Sequence, residues 1–185
     1  MISRLLPIDK FVPQAVVDSV QSIDLKALKE SGVKALIFDV DNTLIPYDDR
    51  SVKPWHTTLF ESLKALELQT IMLTNNHHKD VSNFAEKLAT PIIMAANKPL
   101  KTGYKKALKA LQLAPSEVIM VGDQFMTDLY GASRVGMATI LVRPIRRKSE
   151  KWYTKILRRL ERRMKSKVGR QYPALKKAFD EIHDV

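Results

Sequence analysis

Short, continuous apolar runs alternate along the chain with segments whose apolar residues recur at helical spacing. Val33–Asp39 reads as a buried strand, followed by a helix over Thr57–Leu68. Thr70–Thr74 is a second strand, with a helix around Asp80–Ala89. Ile92–Ala95 is a third, short strand before a helix over Gly103–Leu113. Glu117–Gly122, a helix over Met126–Val135, and Ala138–Val142 complete the series with a fourth and a fifth strand. Strands that are apolar along their whole length are buried on both faces, which requires a parallel sheet with helices on either side. The predicted fold class is therefore α/β, a doubly wound, Rossmann-like parallel sheet. Residues 33–142 would form this domain, 1–32 a lead-in packing on or near the core, and 143–185 a C-terminal extension.

Composition narrows the class. Apolar residues make up 45% and charged residues 28% of the 185 positions, as in soluble globular chains rather than disordered ones. The absence of cysteine excludes disulfides, thiolate metal sites and cysteine nucleophiles, and fits a reducing cytosol. Residues 1–20 carry Arg4, Asp9, Lys10 and Asp18 with prolines at 7 and 13, which breaks any signal-peptide core. No apolar stretch reaches the length of a membrane-spanning helix. The expected location is cytoplasmic.

The net charge of +11 is concentrated in one place. Residues Arg143 to Arg170 hold 13 Lys/Arg against Glu150 and Glu161 alone, so this segment carries the entire excess. Such segregation marks an anionic partner, either a membrane surface or nucleic acid.

In a doubly wound sheet, ligands bind beyond the carboxyl ends of the strands. The polar residues expected there are Asp39 and Asp41 after the first strand, Thr74 and Asn75 after the second, Lys98 after the third, and Asp123 and Asp128 after the fourth. Together they suit phosphate-ester hydrolysis, which needs an in-line nucleophile, a proton source, cations and orienting donors. A carboxylate such as Asp39 can attack phosphorus, and Asp41 can protonate the leaving oxygen and later activate water. Thr43 can hold the turn between them. Asp123 can join Asp39 on Mg²⁺, a hard cation that takes oxygen ligands, while Asp128 supports the loop or a metal-bound water. Thr74 and Asn75 offer a hydroxyl and an amide to phosphate oxygens, and Lys98 offers a cation, with Lys101 a nearby second candidate. His77 and His78, adjacent on a loop, lack the spacing of a helical metal pair.

Asp-x-Asp-x-Thr at 39–43, a Thr after the second strand, a Lys, and Gly-Asp-x-x-x-x-Asp at 122–128 resemble the four motifs of the haloacid dehalogenase superfamily of phosphohydrolases. The resemblance implies that Asp39 is the nucleophile and Asp41 the general acid/base. It also implies that Asp39, the backbone carbonyl of Asp41, and Asp123 bind the metal, while Thr74 and Lys98 bind phosphate. Many members carry a cap domain. Here only 31 residues separate Thr43 from Thr74, and 24 separate Thr74 from Lys98, so a capless site is predicted.

An open site suits a phosphate presented on something large. In Glu150–Lys165, Trp152, Ile156, Leu160 and Met164 recur every four positions and are joined by Tyr153 and Leu157. Lys155, Arg158, Arg159, Arg162 and Arg163 fill the remaining surface. This is the pattern of a basic amphipathic helix lying in a membrane interface, with packing of the stripe on the domain as the alternative. The chain also resembles the YqeG-type branch, subfamily IIIA, which is similar to phosphatidylglycerophosphate phosphatases. That resemblance implies removal of the terminal phosphate from phosphatidylglycerophosphate, leaving phosphatidylglycerol. The basic amphipathic helix adds the expectation of an anionic membrane partner and a peripheral position on the inner face of the membrane. Two rival readings stand beside it: a capless phosphatase of nucleic-acid ends or a soluble phosphometabolite, and a non-catalytic RNA- or ribosome-binding protein on this scaffold.

Overall fold

The structure, a computed structural model, describes residues 6–145 and 152–183, with side chains outside the description at 152–160 and 182–183. Six parallel strands form one sheet: β1 (Ala15–Val17), β2 (Ala35–Phe38), β3 (Gln69–Leu73), β4 (Ile92–Ile93), β5 (Val118–Gly122) and β6 (Ala138–Val142). Their spatial order is β1-β6-β5-β2-β3-β4. The helices are α1 (Leu25–Glu30), α2 (Pro54–Ala65), α3 (Lys79–Lys87), α4 (Lys101–Leu111), α5 (Tyr130–Ser133), α6 (Trp152–Gln171) and α7 (Pro173–His183).

Alternation along the central strand divides the core. Leu36 and Phe38 of β2 meet Leu59, Phe60 and Leu63 of α2 and Val81 and Phe84 of α3. Ala35 and Ile37 point the other way, into a cluster with Tyr104, Ala107 and Leu111 of α4 and Ala132 of α5. All four β2 residues are buried, as a strand covered on both faces must be.

The sixth strand, β1, was not anticipated. It has three residues, too few to display a period, and joins the edge of the sheet by pairing Ala15 with Ile140 and Val17 with Val142. The helix expected over Met126–Val135 is instead a π-helical turn at Phe125–Leu129 running into the short α5.

A third cluster closes the end of the molecule. Met164 and Val168 of α6 and Phe179 of α7 are buried with Phe11, Phe125, Leu129 and Leu141. Met164 was expected in a membrane-facing stripe; it is fully buried and belongs to the core. Met164 finds protein there, because Phe11 and Phe125 supply an apolar surface from distant parts of the chain. Glu161 also turns inward, accepting a bond from the Met126 amide at 3.4 Å, whereas Arg162 and Arg163 are exposed. The side chains of Trp152, Lys155, Ile156, Arg158 and Arg159 lie outside the described residues. No helix among the described residues is long and apolar enough to cross a membrane.

His56 ties α2 to the loop that follows β2. Its Nδ1 accepts from the Lys53 amide at 2.8 Å, and its Nε2 lies 2.8 Å from the Leu44 carbonyl oxygen. Both contacts are met by the neutral ring carrying its proton on Nε2. Burial pushes its pKa below the ordinary histidine value, against the opposing pull of those backbone contacts. The unfolded chain therefore binds this proton more readily, and the stabilisation is complete above about pH 6.5 and lost as pH falls. Urea unfolding between about pH 7.5 and about pH 5.5 should give a steeper loss of stability for the wild type than for His56→Gln. Equal slopes would show that His56 does not govern this loss.

Candidate active site

β2 is flanked by β3 on one side and β5 on the other, so the chain direction diverges at its carboxyl end and opens a crevice there. Phe38 pairs with both Met72 and Val121. This register brings Asp39, Thr74 and Asp123 to the same rim. The Asp39 amide donates to the Val121 carbonyl at 2.9 Å, fixing the first carboxylate against β5. Beyond it the chain turns through Asn42, whose φ of 63° is the left-handed conformation that asparagine tolerates better than most residues. The turn is closed by bonds from the Thr43, Leu44 and Ile45 amides to the Val40 carbonyl. It points Thr43 Oγ1 back at Asp39 Oδ2 (3.3 Å) and Asp123 Oδ1 (3.5 Å).

Lys98 comes from the far side of the crevice and is buried. Its Nζ lies 2.5 Å from Asp39 Oδ1 and 2.7 Å from Asp128 Oδ1. Asp128 is set by the π-helical turn: its Oδ2 accepts from the Gln124 amide at 3.0 Å. The buried Tyr104 hydroxyl secures the turn by donating to the Thr127 carbonyl. Gly122 is required here, because a Cβ at that position would collide with the Asp128 carboxylate.

Oxygens of Asp39, Asp123 and Asp128 lie within 4.8 Å of one another. Three carboxylates thus gather around one ammonium in a buried space. Burial raises the Asp39 pKa well above the ordinary carboxylate range; Lys98 pulls it down, and Asp128, Asp123 and Asp41 push it further up. Burial would also strip the proton from Lys98, but Asp128 and Asp39 outweigh it and hold the ammonium well above the ordinary lysine range. A hard divalent cation fits this donor set, since carboxylate oxygens are its preferred ligands.

Asp41 lies beside this cluster in a separate cradle. Thr74 Oγ1 donates to its Oδ2 at 3.2 Å, Asn76 Nδ2 reaches both oxygens at 3.3 and 3.2 Å, and Arg50 Nη1 meets Oδ1 at 2.6 Å. A carboxylate held by three residues at the mouth of a crevice is oriented for proton transfer to a bound group.

The structure thus brings together Asp39, Asp41, Thr43, Thr74, Lys98, Asp123 and Asp128. Asn75 differs from its expected place among the phosphate-binding groups. Its Nδ2 donates to the Lys98 carbonyl at 2.9 Å and its Oδ1 accepts from the Lys98 amide at 2.6 Å, so its amide clamps the lysine's backbone. The amide that reaches Asp41 is Asn76. Lys101 is exposed on the first turn of α4, away from the carboxylates that hold Lys98. His77 and His78 stack on each other on the surface. Sequence reasoning missed Arg50, Asn76 and Tyr104. Asn76 follows a motif residue directly and was within reach of that reasoning; Arg50 and Tyr104 carry no local signal.

Comparison with known proteins agrees with this geometry. Residues 47–136 match the family model for haloacid dehalogenase-like hydrolases. The Bacillus subtilis protein described as probable phosphatase YqeG is 34% identical over 161 residues, covering 87% of this chain and 93% of its own length. The chloroplastic phosphatidylglycerophosphate phosphatase 1 of Chlamydomonas reinhardtii is 26% identical over 159 residues, or 81% of this chain. The match spans 59% of that longer relative. Among solved structures, the D,D-heptose 1.7-bisphosphate phosphatase from B. bronchiseptica shares the fold, with a TM-score of 0.51 and 20% identity over 60% of this chain and 82% of that one. Carboxylates gathered at the switch point of a capless parallel sheet, in a chain this close to YqeG over nearly its whole length, make it a member of the haloacid dehalogenase-like hydrolases, a phosphoric monoester hydrolase of the YqeG-type branch.

Proposed function

We propose that this phosphatase removes the terminal phosphate of phosphatidylglycerophosphate at the inner face of a membrane, using Mg²⁺ and an aspartyl-phosphate formed on Asp39. The observation that carries the chemistry is the meeting of Asp39, Asp123, Asp128 and Lys98 within one buried cluster. A carboxylate oxygen of Asp39 attacks phosphorus while the bond from phosphorus to the leaving oxygen breaks, and Asp41 gives that oxygen its proton. Asp41 then accepts a proton from water, whose oxygen attacks phosphorus, and the bond to Asp39 breaks to release inorganic phosphate. Lys98 and Thr74 orient and neutralise the phosphoryl oxygens. Asp39, Asp123 and the Asp41 backbone carbonyl would hold Mg²⁺, with Asp128 supporting it. When bound, the ion offsets the charge that gathers as carboxylate and phosphate approach.

Five features favour a lipid substrate. Relatives bear that activity in their names. The connections where a cap would be inserted, residues 39–53 and 74–78, are loops, so the rim is open to a surface. The large apolar residues exposed among the described ones, Met94, Leu100 and Ile145, all follow strand ends on that rim. Beside the catalytic loop is a cavity of about 440 Å³, whose lining includes Val20, Leu44, Trp55 and Ile145 with Lys53 and Arg143. The exposed Arg162, Arg163 and Arg170 of α6 add a basic surface suited to an anionic leaflet.

Phosphate release should be measured with Mg²⁺ on vesicles containing phosphatidylglycerophosphate, on para-nitrophenyl phosphate, and on 5′- or 3′-phosphorylated oligonucleotides. Release from the lipid supports the proposal; release from oligonucleotides without lipid turnover transfers it to nucleic-acid ends. Arg162→Ala with Arg163→Ala removes about 2 kcal/mol of attraction to an anionic surface, roughly 30-fold in vesicle affinity. Turnover on vesicles should fall further than turnover of the soluble ester. Equal losses would remove α6 from the membrane contact.

A further inference from the structure

Arg50 belongs to none of the family motifs. It lies in the loop 39–53 between β2 and α2, one of the positions where a cap would stand. This loop is braced by its own side chains: Asp49 Oδ1 accepts from the Ser51 amide at 2.9 Å and from Ser51 Oγ at 2.5 Å, and Asp49 Oδ2 pairs with Lys53 Nζ at 3.0 Å. The braced turn presents Arg50 to the site. Its Nη1 lies 2.6 Å from Asp41 Oδ1, and its Cζ stands 6.0 Å from the centre of the Tyr47 ring.

Three observations go beyond a simple ion pair. Asp41 also receives Thr74 Oγ1 and the Asn76 amide, so Arg50 is one of three donors that hold it. Among the described residues, the contact with Asp41 is the one hydrogen bond or ion pair that Arg50 makes. A guanidinium carries five N–H donors in a planar fork, so most of them remain for another acceptor. The Arg50 side chain is 20% exposed against 9% for Asp41, so it extends from the buried acid toward the open side of the crevice.

A group that protonates the leaving oxygen must come within hydrogen-bond reach of it. Arg50, one hydrogen bond beyond Asp41, therefore borders the leaving group rather than the phosphoryl group being transferred. Planar two-pronged pairing with phosphate oxygens is what a guanidinium does best, and lysine cannot reproduce it. We infer that Arg50 forms a second anion subsite, which binds a phosphodiester carried at the far end of the leaving alcohol while the terminal phosphate occupies the Asp39 cluster. This inference rests on the proposed reaction, whose leaving alcohol carries such a diester across a three-carbon bridge. The same side chain then touches the acid and the diester, so recognition of the diester also sets the leaving oxygen against Asp41.

The test uses two water-soluble esters that differ by one group: glycerol 1-phosphate, and the same molecule bearing a methyl phosphodiester on its far hydroxyl. The full-length protein with Mg²⁺ should favour the diester-bearing ester by about 10- to 100-fold in kcat/KM, as one charge-assisted pair would give, with most of the difference in KM. Arg50→Ala, which also strips a partner from Asp41, should lower turnover of both esters and erase the preference between them. Arg50→Lys, retaining charge without the fork, should keep part of it. Thermal unfolding of both variants checks that they fold. A preference that survives Arg50→Ala unchanged overturns the subsite and leaves the proposed reaction standing. A wild type without preference, yet active on phosphatidylglycerophosphate vesicles, also overturns it. Failure of the proposed reaction reads differently: wild type inactive on those vesicles while hydrolysing para-nitrophenyl phosphate, which removes the subsite's ligand with it.

Discussion

Asp39→Asn is expected to abolish phosphate release, with kcat falling by about 10⁴-fold or more, as when a covalent nucleophile is removed. The amide keeps the shape of the side chain and can still accept from Lys98, but it cannot attack phosphorus to give an acyl phosphate. The folded state should survive, because the change removes one of three carboxylates crowded within 4.8 Å. The relevant comparison is turnover of para-nitrophenyl phosphate beside the thermal unfolding midpoint. Retained turnover in a folded variant would show that water attacks phosphorus directly and that Asp39 serves only to bind.

Lys98→Met should have the largest effect on stability. Removing one member of a buried ion-paired group leaves the others uncompensated and costs about 3–5 kcal/mol. Here two carboxylates lose their ammonium at once, since Asp39 and Asp128 both contact Nζ. In a chain of this size the unfolding midpoint would fall by roughly 6 to 20 °C. Added Mg²⁺ should recover part of the loss by supplying the missing positive charge, and should recover little in an Asp123→Asn background. A midpoint unchanged by Lys98→Met would mean that the three carboxylates carry much less negative charge than their arrangement implies.

The sheet was legible because its central strands are buried on both faces. Residues 35–38 and 118–122 have no polar side to interrupt the apolar run, and such runs survive any tertiary context. β1 was not legible: a three-residue edge strand is fixed by pairing with β6, a contact more than 120 residues away in sequence. The carboxylates of the candidate site were legible because Asp39 and Asp123 directly follow strands, where topology decides that they converge. Arg50 was not, since nothing in a polar loop distinguishes the cation that meets Asp41 from Lys53, which meets Asp49 instead. Asn75 and Asn76 show the same limit at single-residue scale. The turn after β3 sends one amide to the Lys98 backbone and the other to Asp41, and composition cannot assign which. For the C-terminal helix, an apolar stripe specifies burial without specifying the partner. Met164 met Phe11 and Phe125, while the arginines beside it remained on the surface.

The central claim is that the phosphoryl group passes through Asp39. It is tested most directly by quenching the protein with acid during turnover, reducing the trapped acyl phosphate with borohydride, and sequencing the resulting peptides by mass spectrometry. The account predicts homoserine at position 39 and aspartate unchanged at 41, 123 and 128. Reduction at one of those other positions, or at none while phosphate is being released, would contradict it.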